Sequence, residues 1–469
     1  MKNWLKRLWS CTERLRPEER IGTLPSDGAI YKKVFGIAWP AVLESVLISF
    51  ISVADTAMVS AMGKEAIAGV GITDQPRSIA LAVIFSLNVG VTAVVSRRKG
   101  ESNRAGANRC LKQCLLVSLL LAVLLGGLCV VLAQPILLFS GARADYIDLA
   151  VEYCRIIMGG LVFTAVSQTI TAAQRGCGQT KVSLRANLTA NIVNVVLNYL
   201  LIGGHLGFPA LGVRGAAIAS VISFFVSALI AVLSVLRQED FLYLLSGDSW
   251  RFDRETLGGV LRVGGNAALE QVVFSRIGYF LYGKMMASLG TLEYAVNRIC
   301  SSVMSVGLSF ADGFCVTASS LLGQSLGEKR PDKAQAYVGA CQRIAFLGAL
   351  LLTAAFIGLR YPLVRIYNRE PEVVDLAVQV MVIVGLTTNL QTFQNIYTAS
   401  LRGAGDTRFV AWVSMISVMI LRPGLGWLFA YPLGGGLIGA WLACWIDQFV
   451  RAVCGWLRFR HGCWKTIKI

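Results

Sequence analysis

The chain has 469 residues, 55% hydrophobic and 15% charged, with a mean hydropathy of +0.61. Soluble domains carry nearer a quarter charged residues, so a string of soluble domains is set aside. The formal net charge of +17 would point to nucleic acid only if it lay on a soluble surface, and here it is sorted between apolar stretches.

The opening MKNWLKRLW places Trp4, Leu5, Leu8 and Trp9 on one helical face with basic residues opposite. That pattern predicts a helix lying in the membrane interface. The first long apolar run begins only near residue 34, so no cleavable signal peptide is expected. About twelve stretches of roughly 20 mostly apolar residues follow, each able to cross a bilayer core of about 30 Å. They lie near 34–60, 66–96, 111–133, 149–173, 183–204, 212–236, 257–288, 293–323, 335–359, 374–401, 409–431 and 435–457. The predicted fold is an all-α polytopic membrane protein of twelve transmembrane helices.

Basic residues cluster at every second boundary. Arg97, Arg98 and Lys99 follow the second stretch, Arg175, Lys181 and Arg185 the fourth, Lys329, Arg330 and Lys333 the eighth, and Arg402 and Arg408 the tenth. Lys2, Lys6 and Arg7 open the chain and Arg458, Arg460, Lys465 and Lys468 close it. The positive-inside rule then puts both termini in the cytoplasm. The twelve cysteines are scattered and there are two histidines, His205 and His461, so reduced buried thiols are expected and no metal site.

One shift relates the two halves. Arg175 and Arg402 lie 227 apart (402 less 175), and the same interval relates Gly63 to Gly290, Gly100-Glu101 to Gly327-Glu328, and Pro135 to Pro362. At 226, Pro40 and Glu44 map onto Asn266 and Glu270. Two homologous six-helix bundles of the same orientation follow, an arrangement of transporters that hold substrate and ions between the halves. The expected organisation is an interfacial segment at 1–32, an N-lobe at 33–236, a cytoplasmic linker at 237–256, a C-lobe at 257–457 and a basic tail at 458–469. The RGxGxT motifs at 175–180 and 402–407 read as structural. Gly176 and Gly403 would end one helix in a left-handed cap, and Thr180 or Asp406 would cap the next. No GxxxxGK[ST] loop and no HExxH occurs, so ATP hydrolysis and zinc chemistry have no home and no enzyme is expected.

An ionisable residue at mid-bilayer is a functional candidate by default. Glu44 and Asp55 are eleven residues apart, which returns them to within roughly 20° of one helical face. Glu270 repeats Glu44 in the second half. Asp312 sits inside the eighth stretch, where its repeat partner is Phe85. Asp74 and Arg77 read as an i,i+3 pair. Arg276, Lys284, Arg298 and Arg422 are candidate partners for the acids. In the fifth stretch, Asn187, Asn191, Asn194 and Asn198 are spaced 4, 3 and 4 and form one amide stripe, able to bridge helices or to hold a carboxylate or ion. The coupling candidates are thus Asp55, Glu44, Asn194, Asn198, Glu270 and Asp312. Gln168, Asn191, Gln271, Gln391 and Asn395 are candidates to line a substrate path.

From about residue 30 to 455, the chain resembles the multidrug and toxic-compound extrusion (MATE) family. The stretches that carry the likeness are WPAVLES, VADTAMVSAMG, GGNAALEQVVFSRIGYFLYGKMMASLGT, LLGQSLGEKRPDKA and SLRGAGDTRF. The resemblance implies two lobes that rock between outward- and inward-open states and expel organic cations against protons or sodium. It implies that Asp55 is a proton or cation site, that Asn194 helps build it, and that Glu270 matches a seventh-span Glu of one bacterial subgroup. The sequence departs from the family at four positions. Asn198 stands where many members carry Asp, Asn266 where Pro is usual, Asn297 where His is common, and Asp312 where an aromatic is common. The expected protein is a monomeric antiporter of a bacterial cytoplasmic membrane. It would take a cationic amphiphile as substrate, use H+ or Na+ as coupling ion, touch membrane lipid, and bind no nucleic acid. The rival expectation is a flippase or exporter of lipid-linked or anionic compounds, for which Arg276 and Arg422 leave room.

Overall fold

The computed structural model describes residues 9–11, 17–60, 64–245, 247, 250 and 252–467, with backbone alone at 17, 50, 52–57, 59, 60 and 64. Of the predicted interfacial helix at residues 1–9, all but the exposed Trp9 lies outside them. The first repeat runs through α1 (Asp27–Ser60), α2 (Lys64–Gly100), α3 (Arg104–Val131), the short α4 (Ala133–Phe139), α5 (Ile147–Gly159), α6 (Leu161–Gly176), α7 (Thr180–Gly203) and α8 (Gly212–Leu233). The second comprises α9 (Arg254–Ala268), α10 (Ser275–Leu289), α11 (Thr291–Gly327), α12 (Pro331–Gly358), the short α13 (Arg360–Tyr367), α14 (Pro371–Ala404), α15 (Thr407–Ser414), α16 (Arg422–Ala430) and α17 (Gly436–His461).

These elements account for the twelve apolar stretches. The fourth is the pair α5 and α6, bent by 42°. The seventh is α9 joined to α10 through a π-helical segment, Leu269–Phe274, and the eleventh is α15 joined to α16 through another, Met415–Leu421. Among the described residues, nine helices are long and apolar enough to cross a membrane, ten with the bent pair taken as one span.

The repeat is visible in the helix ends. Lys64–Gly100 and Thr291–Gly327 differ by 227 at both ends (291 less 64, 327 less 100), as do Arg104–Val131 and Pro331–Gly358. Even the strained turn recurs: Ser102 and Lys329 both have φ of 56°, unusual for residues with a Cβ. The changes of interval have a physical cause. A π-turn takes up one more residue than the α-turn it replaces. Glu44 and Glu270 are 226 apart, and past the first π-segment the interval is 227. Past the second it becomes 228. Leu201 and Phe429 (429 less 201) are the residues whose carbonyls face the matching glycines Gly215 and Gly439. A shorter connection then sets 224 for the last span (439 less 215), so α17 matches α8.

The chain divides into two compact units, residues 43–264, and the described residues up to Val42 together with 265 onward. Each has its own apolar core. In the first, Ile84, Ala122, Leu137, Cys154 and Met158 pack from α2, α3, α4 and α5. In the second, Val303, Val380, Met381, Val384 and Trp441 pack from α11, α14 and α17.

Candidate functional site

The sequence leaves the purpose of Glu44 open, and the structure answers with a set of donors. Glu44 is 4% exposed. Its Oε1 accepts from Arg175 Nη2 at 2.6 Å, Ser183 Oγ at 2.8 Å and Asn187 Nδ2 at 2.6 Å. Arg175 also donates from Nε to Ser183 Oγ at 3.0 Å. A buried carboxylate has to be met by charge and hydrogen bonds, and here α6 and α7 supply them.

Glu270 repeats the arrangement in the second unit. It is 4% exposed and lies in the π-segment of the seventh span. Arg402 Nη2 donates to its Oε1 and Arg402 Nε to its Oε2 at 3.3 Å, while Ser414 Oγ donates to Oε1 at 2.8 Å. Ser414 is the counterpart of Asn187 (414 less 187 is 227), and Val410 stands where the first repeat has Ser183. The second carboxylate therefore has one neutral donor where the first has two.

For Glu44 and Glu270 these contacts correct the expected partners Arg276, Lys284, Arg298 and Arg422: the arginines of the repeated RGxGxT motif hold both glutamates. The capping expectation is corrected as well. Gly178 (φ +82°) and Gly405 (φ +93°) take the left-handed turn. Gly176 and Gly403 stay helical and sit against a neighbouring helix, where a Cβ would come within 3.0 Å of Thr92 O and 2.5 Å of Ser319 Oγ. Asp406 makes no side-chain cap and pairs with Arg458 at 2.8 Å, and Thr180 is already inside α7. Asp74 and Arg77 make no direct salt bridge, although Asp74 lies in the field of the Arg77 charge, and Arg77 lies 5.6 Å over the Phe224 ring.

The sequence reading missed a second charged cluster. Asp447, in α17, is fully buried and accepts from Arg422 Nε at 3.0 Å and Nη2, from Arg451 Nη2 at 3.1 Å and from Ser417 Oγ. Arg422 is 2% exposed and lies 5.3 Å from the Tyr279 ring centroid. The signal was present: Asp447 interrupts an apolar span just as Glu44 does. Arg422, which left room for a basic cavity that takes phosphates, is thus occupied by an acid. The first repeat is neutral at the matching places, with Asn194 for Arg422 (228 apart), Ser223 for Asp447 and Ser227 for Arg451 (both 224 apart).

Of the other candidates, Asn194 and Asn198 are buried on one face of α7. Asn198 Nδ2 donates to Asn194 Oδ1 at 3.1 Å and Asn194 Nδ2 to Ser220 Oγ at 3.3 Å. Asn187 and Asn191 are half-buried on the same face. The side chain of Asp55 lies outside those described. Asp312 is exposed on α11. Gln168 and Asn191 are half-buried in the first unit, Gln271 and Asn395 in the second, and Gln391 is 7% exposed with its Oε1 in no hydrogen bond. No group of acids, histidines and cysteines suited to a metal occurs among the described residues.

The family model MatE matches this chain twice, over residues 40–200 and 267–428. The two matches start 227 residues apart (267 less 40), the interval of the internal repeat. The chain belongs to the MATE family of transporters. It is similar to "Probable multidrug resistance protein NorM" of Thermotoga maritima, 26% identical over 93% of both chains. It is likewise similar to "Multidrug resistance protein PmpM" of Pseudomonas aeruginosa, 26% identical over 86% of this chain and 84% of that one. Two solved structures share the fold, each with a TM-score of 0.87 over 93% of this chain and 97% of the other. One is a MATE in complex with MaD3S (23% identical) and the other an outward-facing multidrug resistance MATE transporter of the MOP superfamily (22% identical). This MATE protein is a multi-pass membrane protein, with the duplicated helical architecture its sequence predicted.

Proposed function

We propose that this MATE protein is a secondary antiporter that exports organic, cationic and amphiphilic compounds from a bacterial cell, driven by protons or sodium. Both termini would lie in the cytoplasm. Family membership supports the transport reading, and the names of the relatives support drugs and toxic compounds as cargo. Asp55 is assigned the proton, and Asn194 on α7 is assigned to help build its site, as the family resemblance implies. The observation that carries the division of roles is the make-up of the donors around the two buried glutamates: each accepts three hydrogen bonds, two of them from neutral groups at Glu44 and only one at Glu270. Glu44 is held through Oε1 by an arginine and two neutral donors from α6 and α7, which suits a fixed frame between the first span and the turn after α6. Glu270 has one neutral donor fewer and lies in a π-segment, a feature frequent at functional sites. It is assigned as the second coupling acid, together with the exposed Asp312. Coupling then comes from the different affinity of each state for ion and cargo, and the cargo's charge is met by carboxylates and aromatic faces.

The test is efflux of ethidium from proteoliposomes under an imposed pH or sodium gradient, for wild type and Asp55→Asn. A pH-driven efflux that Asp55→Asn abolishes supports the reading. Efflux driven by sodium alone moves the coupling to Glu270 and Asp312. No movement of any cation under either gradient overturns export of cations.

A further inference from the structure

A cavity of about 330 Å³ opens at the basic ends of α7 and α8, lined by Gln179, Val182, Arg185, Ile230, Leu233, Ser234, Arg237 and Asp240. Its meaning comes from the other repeat. Asp406 and Phe409 are the counterparts of Gln179 and Val182 (both 227 apart), and Arg458 that of Ser234 (224 apart). In the second repeat Arg458 fills this place, paired with Asp406 at 2.8 Å and lying 4.9 Å from the Phe409 ring centroid. In the first repeat the short side chain of Ser234 leaves it open.

The open cavity has two cations on its walls. Arg185 and Arg237 are exposed, and neither forms an ion pair with an acid among the described residues. Its rim is held in place from outside, because the Arg104 guanidinium binds the carbonyls of Gln238, Asp240 and Phe241. The opening continues onto an apolar face, where Leu229 is 45% exposed, Leu233 53% and Leu236 37%. Two arginines above bare leucines at the end of a membrane span fit an occupant with a phosphate head and acyl chains. We propose that this cavity binds one anionic phospholipid, its phosphate between Arg185 and Arg237 and a chain along α8. Basic pockets at the ends of transmembrane helices take such headgroups, and arginine suits phosphate through its planar fork. A free phosphate would leave the leucine face unused. The site also adjoins the frame of the first unit: Val182 lines the cavity, and the next residue, Ser183, donates to Glu44.

The experiment is native mass spectrometry of purified protein titrated with phosphatidylglycerol, phosphatidylcholine or inorganic phosphate. Wild type should retain one phosphatidylglycerol, and Arg185→Gln/Arg237→Gln should bind it roughly thirtyfold more weakly, about tenfold for each 1.4 kcal/mol with about 1 kcal/mol per basic residue. A second variant, Gln179→Asp/Ser234→Arg, copies the closed repeat and should also lose the lipid. Equal retention of phosphatidylglycerol by wild type and both variants overturns the site. Equal retention of phosphatidylcholine overturns the anionic headgroup, and displacement of the lipid by millimolar phosphate overturns the lipid as source.

Discussion

The two repeats share a frame and differ at its centre. Both place a glutamate on their first span against the arginine of an RGxGxT motif, Glu44 with Arg175 and Glu270 with Arg402. Beyond that they diverge. The first repeat keeps continuous α-helices in its first and fifth spans and neutral groups, Asn194, Ser223 and Ser227, between its fifth and sixth. The second inserts a π-segment into both matching spans and sets Arg422, Asp447 and Arg451 there. The π-segments of the second repeat lie against one another: a Cβ at Gly278, just after the first, would come within 2.4 Å of Val418 O in the second. The glutamate–arginine pair is common to both halves, but its setting is not: Glu270 lies in a π-segment with one neutral donor, Glu44 in a continuous α-helix with two. What only one half holds is where ion and cargo chemistry should be sought.

The largest effect expected is in the charged centre of the second repeat. Asp447→Asn leaves the buried Arg422 and the half-buried Arg451 without their acid and should cost about 3–5 kcal/mol, read as a large fall in the thermal unfolding midpoint in detergent. The matching change in the first repeat, Ser223→Ala, should cost about 1 kcal/mol at most. Similar losses would break the contrast.

Next come the motif arginines. Arg175→Gln and Arg402→Gln each leave a buried glutamate without its cation. Glu44 keeps Ser183 and Asn187, whereas Glu270 keeps only Ser414. Arg402→Gln should therefore be the more damaging by about 1 kcal/mol, the worth of one hydrogen bond, measured by denaturation of both variants under one condition. A smaller effect sharpens the same point. Asn187→Ala should destabilise by about 1–2 kcal/mol, since it removes one of three donors to a buried carboxylate, and combined with Arg175→Gln, which then leaves Glu44 only Ser183, it should bring that variant level with Arg402→Gln.

Much of this was legible in the sequence. Apolar length alone marked the spans, because a helix must match the bilayer. A constant interval marked the duplication. The glutamates stood out as charges in apolar runs. Their partners did not, since Arg175 and Arg402 sit at helix ends, where a basic residue also reads as a topology signal. Asp447 was hidden differently: Arg451 stands at i+4 on its own helix, but the buried Arg422 lies 25 residues away on another span, and spacing along one helix cannot report a pair made across two. The π-segments left only a one-residue change of interval, whose cause needed the backbone.

The most direct test of the division between the repeats is a pair of charge swaps followed by transport. Glu44→Arg/Arg175→Glu and Glu270→Arg/Arg402→Glu each keep an ion pair while moving the carboxylate to the other helix. Efflux from proteoliposomes would be compared at matched amounts of folded protein. The account predicts that the first swap transports close to wild type, because Glu44 only frames the lobe, and that the second folds yet loses coupled efflux, because Glu270 binds the ion where it stands. A first swap that folds but does not transport, or a second that transports normally, would contradict it.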